Sequence, residues 1–106
     1  MVTEVGLQDL DHALAAGAPL LDVRESEECA AGHVPGAQLL PLGALAARLH
    51  ELPTDRTVYV VCQAGGRSAQ VAQLLEREGL QVRSVAGGTA AWTQSGRPVE
   101  TGAPHS

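Results

Sequence analysis

Short apolar runs alternate with segments of helical periodicity along the 106 residues of this chain. Runs rich in Val and Leu and only a few residues long are typical of buried strands. Such runs occupy residues 3–5, 20–23, 37–40, 58–61 and 81–85. Because strand and helix alternate, the pattern predicts an α/β fold, with a parallel sheet of about five strands and helices on both faces.

Apolar spacing and end signals place the helices between these strands. From Ser68 the residues follow an amphipathic pattern that ends at Gly79, a residue type common just after a helix. Ser26 and Thr89 are predicted to cap two shorter helices. Another helix, closed by Pro53, is predicted from the spacing of Leu42, Leu45, Leu49 and Leu52.

The strand at 58–61 leads into a tight loop with the sequence Cys62-Gln63-Ala64-Gly65-Gly66-Arg67-Ser68. Gly65 and Gly66 allow the backbone to turn its N–H groups inward, because glycine accepts a positive φ without steric cost. The start of the following helix and Arg67 add positive charge to these amides. A free cysteine has a pKa of roughly 8.5, and such surroundings lower it. We predict that Cys62 is a nucleophile.

Asp22 and Arg24 stand at the predicted carboxyl end of another strand. In a parallel sheet they should therefore share an edge with the Cys62 loop. One interpretation makes them site-edge residues that shape the electrostatics of the mouth. The interpretation we favour pairs Arg24 with Glu27 or Glu28 to fix the following turn.

His33 and Cys29 are the remaining candidates for chemistry. His33 lies in a turn rich in Gly and Pro, where a hydrogen bond to the backbone is a commoner role than general base catalysis. Cys29 could resolve an oxidised Cys62, but no residue around it indicates thiolate activation. We interpret both residues as structural.

Composition and charge exclude several classes of protein. The formal net charge of −5 argues against nucleic acid or an anionic membrane as a partner. No stretch reaches the roughly 18 apolar residues of a membrane span, and the N-terminus lacks the pattern of a signal peptide. Two cysteines are too few for a disulfide scaffold, which predicts a reducing, cytoplasmic location. The scattered histidines predict no metal site.

Three stretches together resemble the rhodanese domain family, in the family's order and spacing. They cover nearly the whole chain: Leu20-Leu21-Asp22-Val23-Arg24-Glu25 through Gly32-His33-Val34-Pro35-Gly36-Ala37; the Cys62 loop; and Val85-Ala86-Gly87-Gly88 with Trp92 and Gly96-Arg97-Pro98-Val99. The resemblance implies a three-layer α/β/α fold. We expect a single rhodanese-like domain at residues 1–100 and a short C-terminal tail at 101–106, where Pro, Gly and small polar residues end the chain.

The resemblance implies a sulfurtransferase that carries sulfane sulfur as a persulfide on Cys62. Its donor would be thiosulfate or a persulfide, and its acceptor cyanide, a small thiol or a protein. Arg67 would help to bind the anionic donor, and Ser68 would hydrogen-bond the sulfur. The backbone amides that hold the persulfide would be those of Gln63, Ala64, Gly65, Gly66, Arg67 and Ser68. Two displacement steps on a thiolate need no metal and no organic cofactor.

The chain departs from the family pattern at a few positions. Gln63 and Ala64 are neutral where many relatives carry a second basic residue. With Arg67 as the one cation of the loop, we expect thiosulfate to bind poorly and a persulfide or protein to be the physiological donor. Cys29 stands where the family usually has an aromatic residue, and Thr89 lacks the bulk often seen at its position. We interpret both of these as packing variation.

Two alternative functions are weighed against sulfur transfer. A phosphatase or arsenate reductase of this fold has one more residue between Cys and Arg, whereas four residues, Gln63 to Gly66, separate Cys62 from Arg67 here. A shorter ring of amides suits a single sulfur atom better than a tetrahedral oxyanion. The other alternative is a non-catalytic binding module or a protein-to-protein sulfur relay. Inactive family members typically lose the loop cysteine, which this chain retains.

Overall fold

A five-stranded parallel sheet forms the centre of the molecule in a computed structural model, which describes residues 2–102. The strands lie in the order β1-β5-β4-β2-β3, and every neighbouring pair is parallel. Their bounds are β1 Glu4–Val5, β2 Leu20–Asp22, β3 Gln38–Leu39, β4 Val58–Val61 and β5 Val82–Val85. Because β4 is the central strand, the loop that follows it lies in the middle of the edge formed by the carboxyl ends of the strands.

Helices connect the strands and cover both faces of the sheet. Their bounds are α1 Leu7–Ala15, α2 Ser26–Ala31, α3 Leu45–Arg48, α4 Gly66–Arg77 and α5 Gly88–Gln94. None of the helices within residues 2–102 has the length and apolar character that crossing a membrane requires. The predicted α/β fold with a parallel sheet is confirmed.

The apolar side chains form two clusters, one on each face of the sheet. Successive residues of β4 alternate between them, as the two-residue period of a strand requires. Val60 belongs to the cluster that includes α4, whereas Val61 belongs to the cluster that includes Leu10 of α1 and Trp92 of α5. Cys62 joins the α4 cluster. The structure therefore has the three layers that the sequence predicts.

Two predicted helix caps are wrong. Glu25, not Ser26, is the N-cap of α2, where its side chain and that of Glu28 form a reciprocal capping box. The N-cap of α5 is Gly87, whose φ of 75° turns the chain sharply after β5, and Thr89 lies already inside the helix. In each case the N-cap lies one or two residues before the residue predicted to cap the helix.

Two predicted helices differ in extent from the structure. α4 begins at Gly66 instead of Ser68, because Gly65 adopts a left-handed φ of 109° that starts the helix at once. The segment predicted as one helix around Leu45 is broken into α3 and two 3₁₀ turns, Leu42–Ala44 and Leu49–Glu51. An uninterrupted apolar spacing therefore did not produce an uninterrupted α-helix.

The chain after α5 returns along the molecule to α2. Trp92 donates its indole N–H to the carbonyl of Pro98, and Arg97 pairs with Asp11 of α1. Glu100 forms an isolated antiparallel bridge with His33. Of the predicted tail at 101–106, residues 103–106 lie outside the described part of the chain.

Candidate active site

Cys62 lies at the carboxyl end of β4, in the turn that leads into α4. The left-handed Gly65 bends the chain back, so that its backbone N–H donates a hydrogen bond to Cys62 Sγ at 3.0 Å. Cys62 is only 1% exposed. Gln63, Ala64 and Gly66 are exposed around it and form the mouth of the site. The turn thus surrounds one sulfur atom with inward-facing amides.

Two serine hydroxyls extend this arrangement into the interior. Ser68 Oγ lies 3.5 Å from Cys62 Sγ and donates to the Gly65 carbonyl at 3.1 Å. Ser84 Oγ of β5 lies 2.8 Å from Ser68 Oγ. Once Cys62 has lost its proton, the Ser68 hydroxyl can rotate from the Gly65 carbonyl and donate to the sulfur, while Ser84 donates to Ser68. The pair can therefore stabilise a thiolate without any change of backbone.

The hydrogen bonds outweigh the effect of burial on the thiol. Burial alone raises the pKa of Cys62. The Ser68 hydroxyl and the backbone amides of Ser68, Gly65 and Ala64 lower it further than burial raises it, so the pKa lies below its ordinary value. The direction agrees with the sequence prediction, and the donors responsible are neutral groups of the loop.

The N-terminus of α5 holds the Cys62 turn from the other side. The backbone N–H groups of Thr89 and Ala90 donate to the carbonyls of Cys62 and Gln63, at 2.8 and 3.0 Å. A Cβ on Gly88 would overlap the Cys62 carbonyl oxygen and lie 2.7 Å from that of Gln63. Only glycine permits this close approach. The turn is therefore fixed at both ends by helices.

Arg67 pairs with Glu28 of α2 in a bidentate salt bridge. Its Nη1 and Nη2 donate to the two carboxylate oxygens at 2.8 and 2.9 Å. This pairing lowers the pKa of Glu28 to about 2 and raises the pKa of Arg67. The cation that the sequence assigns to an anionic donor is thus already matched by a carboxylate.

Asp22 and Arg24 form a second, buried ion pair beside the loop. Arg24 Nη2 donates to Asp22 Oδ2 at 2.8 Å and to the Gly32 carbonyl, also at 2.8 Å. Its Nη1 donates to Gln63 Oε1 at 3.0 Å, so the structure brings both residues to the Cys62 loop. The predicted pairing of Arg24 with Glu27 or Glu28 is wrong. The guanidinium pairs instead with Asp22, which lies two residues earlier at the end of β2.

Cys29 lies within α2, and His33 follows that helix and contacts its backbone. His33 Nδ1 lies 2.9 Å from the Cys29 carbonyl, which agrees with the predicted backbone contact. Burial, followed by the charge of Asp22, raises the pKa of Cys29 to about 11. Within residues 2–102, no three His, Cys, Asp or Glu side chains are grouped as metal ligands would be.

Two residues of this site were missed by sequence reasoning. Ser84 is a buried serine on the same face of β5 as the buried Val82, in register with Val60, and a polar residue at this inward position of the strand is the signal that could have found it. The sequence indicates Glu28 only as a partner of Arg24 in the turn before α2. Nothing in the local sequence links it to Arg67, which is 39 residues away.

The sequence of this chain also matches a known protein family. The model of the rhodanese-like domain covers residues 6–95. The chain belongs to the rhodanese-like domain family.

Individual relatives extend the same result. A protein of Allochromatium vinosum named sulfurtransferase is 35% identical over 102 residues, covering 93% of this chain and 95% of the relative. The structure of a rhodanese-related protein of Thermoplasma volcanium superposes with a TM-score of 0.86 at 31% identity, covering 92% of this chain and 97% of that one. Family and relative together support sulfur transfer as the general activity.

A second solved structure is a thiosulfate sulfurtransferase of Pseudomonas aeruginosa. It superposes with a TM-score of 0.88 at 28% identity. The match covers 98% of this chain but 21% of that protein, so it concerns one part of a longer molecule. It supports the α/β/α fold described above.

Proposed function

We propose that this protein is a sulfurtransferase that carries sulfane sulfur as a persulfide on Cys62. The observation that carries the proposal is the surroundings of one sulfur: the Gly65 amide donates to Sγ at 3.0 Å, and the Ser68 hydroxyl lies 3.5 Å from Sγ, where it can donate once the thiol is ionised. These groups lower the pKa of Cys62 despite its burial. A thiolate held in this way is prepared for nucleophilic attack.

In the first step, the Cys62 thiolate attacks the outer sulfur of the donor. A bond forms between Sγ and that sulfur, and the donor's own sulfur–sulfur bond breaks. Its electron pair leaves with sulfite when the donor is thiosulfate, or with a thiolate when the donor is an organic persulfide. The amides of Gln63 to Ser68 and the Ser68 hydroxyl would hold the new terminal sulfur anion.

In the second step, a thiophilic acceptor attacks the terminal sulfur and the Cys62 thiolate leaves. Cyanide would give thiocyanate, whereas a small thiol or a protein thiol would give a new persulfide. The protein returns to its starting state, since one sulfur has entered and one has left. A ping-pong kinetic pattern follows from this sequence.

Charge pairing at the site favours a persulfide donor over thiosulfate. Arg67 is matched by Glu28, and Arg24 is matched by Asp22. Thiosulfate is a dianion, and the two arginines nearest the loop are each neutralised by a carboxylate before it arrives. An organic persulfide carries a single negative charge on the sulfur that the amides can hold. We therefore assign a persulfide or a protein donor to this site, with thiosulfate as a slower donor.

Steady-state thiocyanate formation tests this proposal. With cyanide as acceptor, we expect parallel double-reciprocal lines for both donors and a higher kcat/KM for an organic persulfide than for thiosulfate. Formation of thiocyanate without Cys62, or intersecting lines that require donor and acceptor together, would contradict the covalent mechanism.

A further inference from the structure

An apolar depression of about 310 Å³ lies on the surface between α4 and the segment 42–51, which contains α3. Leu42 and Leu74 stand on its two opposite sides and are 36% and 44% exposed. The rest of its apolar lining consists of Leu45, Ala46 and Leu49. Within residues 2–102, Val99 is the one other large apolar side chain that is exposed to this extent. Large apolar side chains that are exposed together are typical of a surface that another molecule covers.

A second depression, of about 450 Å³, continues the first toward the end of α4. The two depressions share Ala46, Leu49 and Glu78, and we call them together the α3–α4 groove. The loop residues 63–66, which surround the mouth of the active site, line neither depression. The groove is therefore a surface separate from the active site.

Charged side chains of both signs stand at the rim of the groove. Arg77, the last residue of α4, and Glu78, its C-cap, line the first depression and are exposed. Neither of them forms a salt bridge with another residue of the described range 2–102. A twofold axis brings the same patch of two copies together, so a patch with adjacent charges of opposite sign can pair with itself. A partner whose surface carried one sign of charge would be attracted to one of these side chains and repelled by the other. The rim therefore favours a second copy of this chain as the partner.

The apolar part of the groove allows the same reciprocal contact. Leu74 projects from α4, whereas the exposed residue Ala46 on the opposite side has a side chain of one carbon atom. The depression between these two sides has room for a leucine side chain from a second copy. Each copy thus supplies both a projecting side chain and the space that receives one, as a twofold interface requires.

We propose that the α3–α4 groove is an interface between two copies of this chain, in which Leu74 of each copy enters the depression of the other. Arg77 then pairs with Glu78 of the partner subunit, and the twofold axis repeats this contact. The interface goes beyond the proposed sulfur transfer and does not depend on it. Because the groove is short, the dimer is of the weak class, and its population depends on protein concentration.

Sedimentation velocity of the purified protein tests the interface. From about 10 µM to about 1 mM, we expect the mass of the wild-type protein to rise from that of a monomer toward twice that value. Leu74→Glu places a carboxylate in the apolar contact of both copies and should raise the dissociation constant at least about 10-fold. Ala46→Glu introduces the same charge from the opposite side and should have the same effect. Gln73→Glu adds one negative charge at an exposed position of α4 outside the groove and should leave the dissociation constant unchanged.

Exchange of the rim charges tests the proposed pairing. Arg77→Glu and Glu78→Arg should each weaken the dimer by about 3- to 10-fold, because like charges then meet at both contacts. An equimolar mixture of the two variants restores opposite charges at both contacts. We therefore expect the mixture to form a heterodimer with the wild-type affinity, which native mass spectrometry of one isotope-labelled variant would detect. Equal association of the mixture and of each variant alone would contradict the pairing.

The outcomes separate this inference from the proposed function. A wild-type protein that stays monomeric at every concentration would overturn the interface. A dimer that Leu74→Glu and Gln73→Glu weaken equally would overturn it as well, because the contact would then lie elsewhere. Leu74→Glu should keep the melting temperature of the dilute monomer and the wild-type rate of thiocyanate formation, since the groove is separate from the active site. An intact wild-type dimer that forms no thiocyanate would overturn the proposed function instead.

Discussion

The two cysteines of this domain are buried to the same extent but lie in opposite chemical environments. Cys62 is 1% exposed and Cys29 is 0% exposed. Hydrogen-bond donors of the loop surround Cys62 and hold its pKa below the ordinary value. Cys29, within α2, has no comparable set of donors, and burial together with the charge of Asp22 raises its pKa to about 11.

The difference shows that burial does not by itself decide whether a thiol is reactive. Desolvation disfavours the thiolate at both positions, as it does for any buried acid. At Cys62 the turn made by Gly65 converts backbone amides into donors for the sulfur, and Ser68 adds a hydroxyl. The orientation of nearby donors, set by one left-handed residue, therefore separates the thiol with a lowered pKa from the one with a raised pKa.

The largest expected effect comes from exchanging each cysteine for serine. Cys62→Ser should lower thiocyanate formation by more than about 10³-fold, because the transferred sulfur has no other carrier. Cys29→Ser should retain sulfur transfer, although the buried hydroxyl will lower its melting temperature. Activity in Cys62→Ser comparable to the wild type would refute the proposed mechanism.

Alkylation of the native protein measures the two thiols in one experiment. With a pKa of about 11, Cys29 is about 10⁻⁴ thiolate at pH 7. Cys62, whose pKa is lowered, should therefore react with iodoacetamide more than about 100-fold faster at that pH. As the pH rises, the Cys62 rate should level off first, while the Cys29 rate continues to increase toward pH 11. Peptide mapping separates the sites, and equal rates at pH 7 would contradict the comparison.

The serine pair provides a smaller and more specific test. Ser68→Ala removes a donor to the sulfur and should raise the Cys62 pKa, which slows sulfur loading at pH 7 by about 10-fold. The defect should shrink above pH 9, where the thiolate forms without help. Ser84→Ala acts only through Ser68 and should slow loading by about 2- to 3-fold. A loading defect in Ser68→Ala that is independent of pH would show that Ser68 supports only the loop backbone.

Glu28→Gln tests whether charge pairing sets the choice of donor. Glutamine keeps the oxygen that accepts from the Glu25 amide but releases Arg67 from its bidentate ion pair. We expect KM for thiosulfate to fall by about 3-fold. KM for an organic persulfide whose organic group carries no charge should change little. Glu27→Gln removes the same charge one residue away on the exposed side of α2 and should change neither value. If both variants behave alike, the effect is one of net charge and not of Arg67.

The elements that the sequence predicted well depend on local pattern. The strand at 58–61, the lowered pKa of Cys62 and the glycine turn after it can all be inferred from one continuous segment of residues. The apolar runs also placed all five strands within one residue of their observed bounds. These features follow from side-chain alternation and backbone preference, which neighbouring residues determine.

The features that the sequence did not predict depend on contacts between distant segments. Arg67 meets Glu28 and Arg24 meets Gln63 only after β4 is placed next to β2, and each pair is separated by 39 residues. Ser84 reaches Ser68 only across the β4–β5 pairing. Thr89 is predicted as a cap from its residue type, but it lies inside α5, and its hydroxyl has no hydrogen-bond partner among residues 2–102.

The most direct test of the central claim is the mass of the intact, reduced protein after treatment with an organic persulfide and, separately, with thiosulfate. We predict a gain of one sulfur, about 32 Da, that maps to Cys62, is absent from Cys29 and is lost to cyanide as thiocyanate. The persulfide should load the protein faster than thiosulfate. No gain with either donor, or a gain that maps to Cys29, would contradict the assignment of Cys62 as the sulfur carrier.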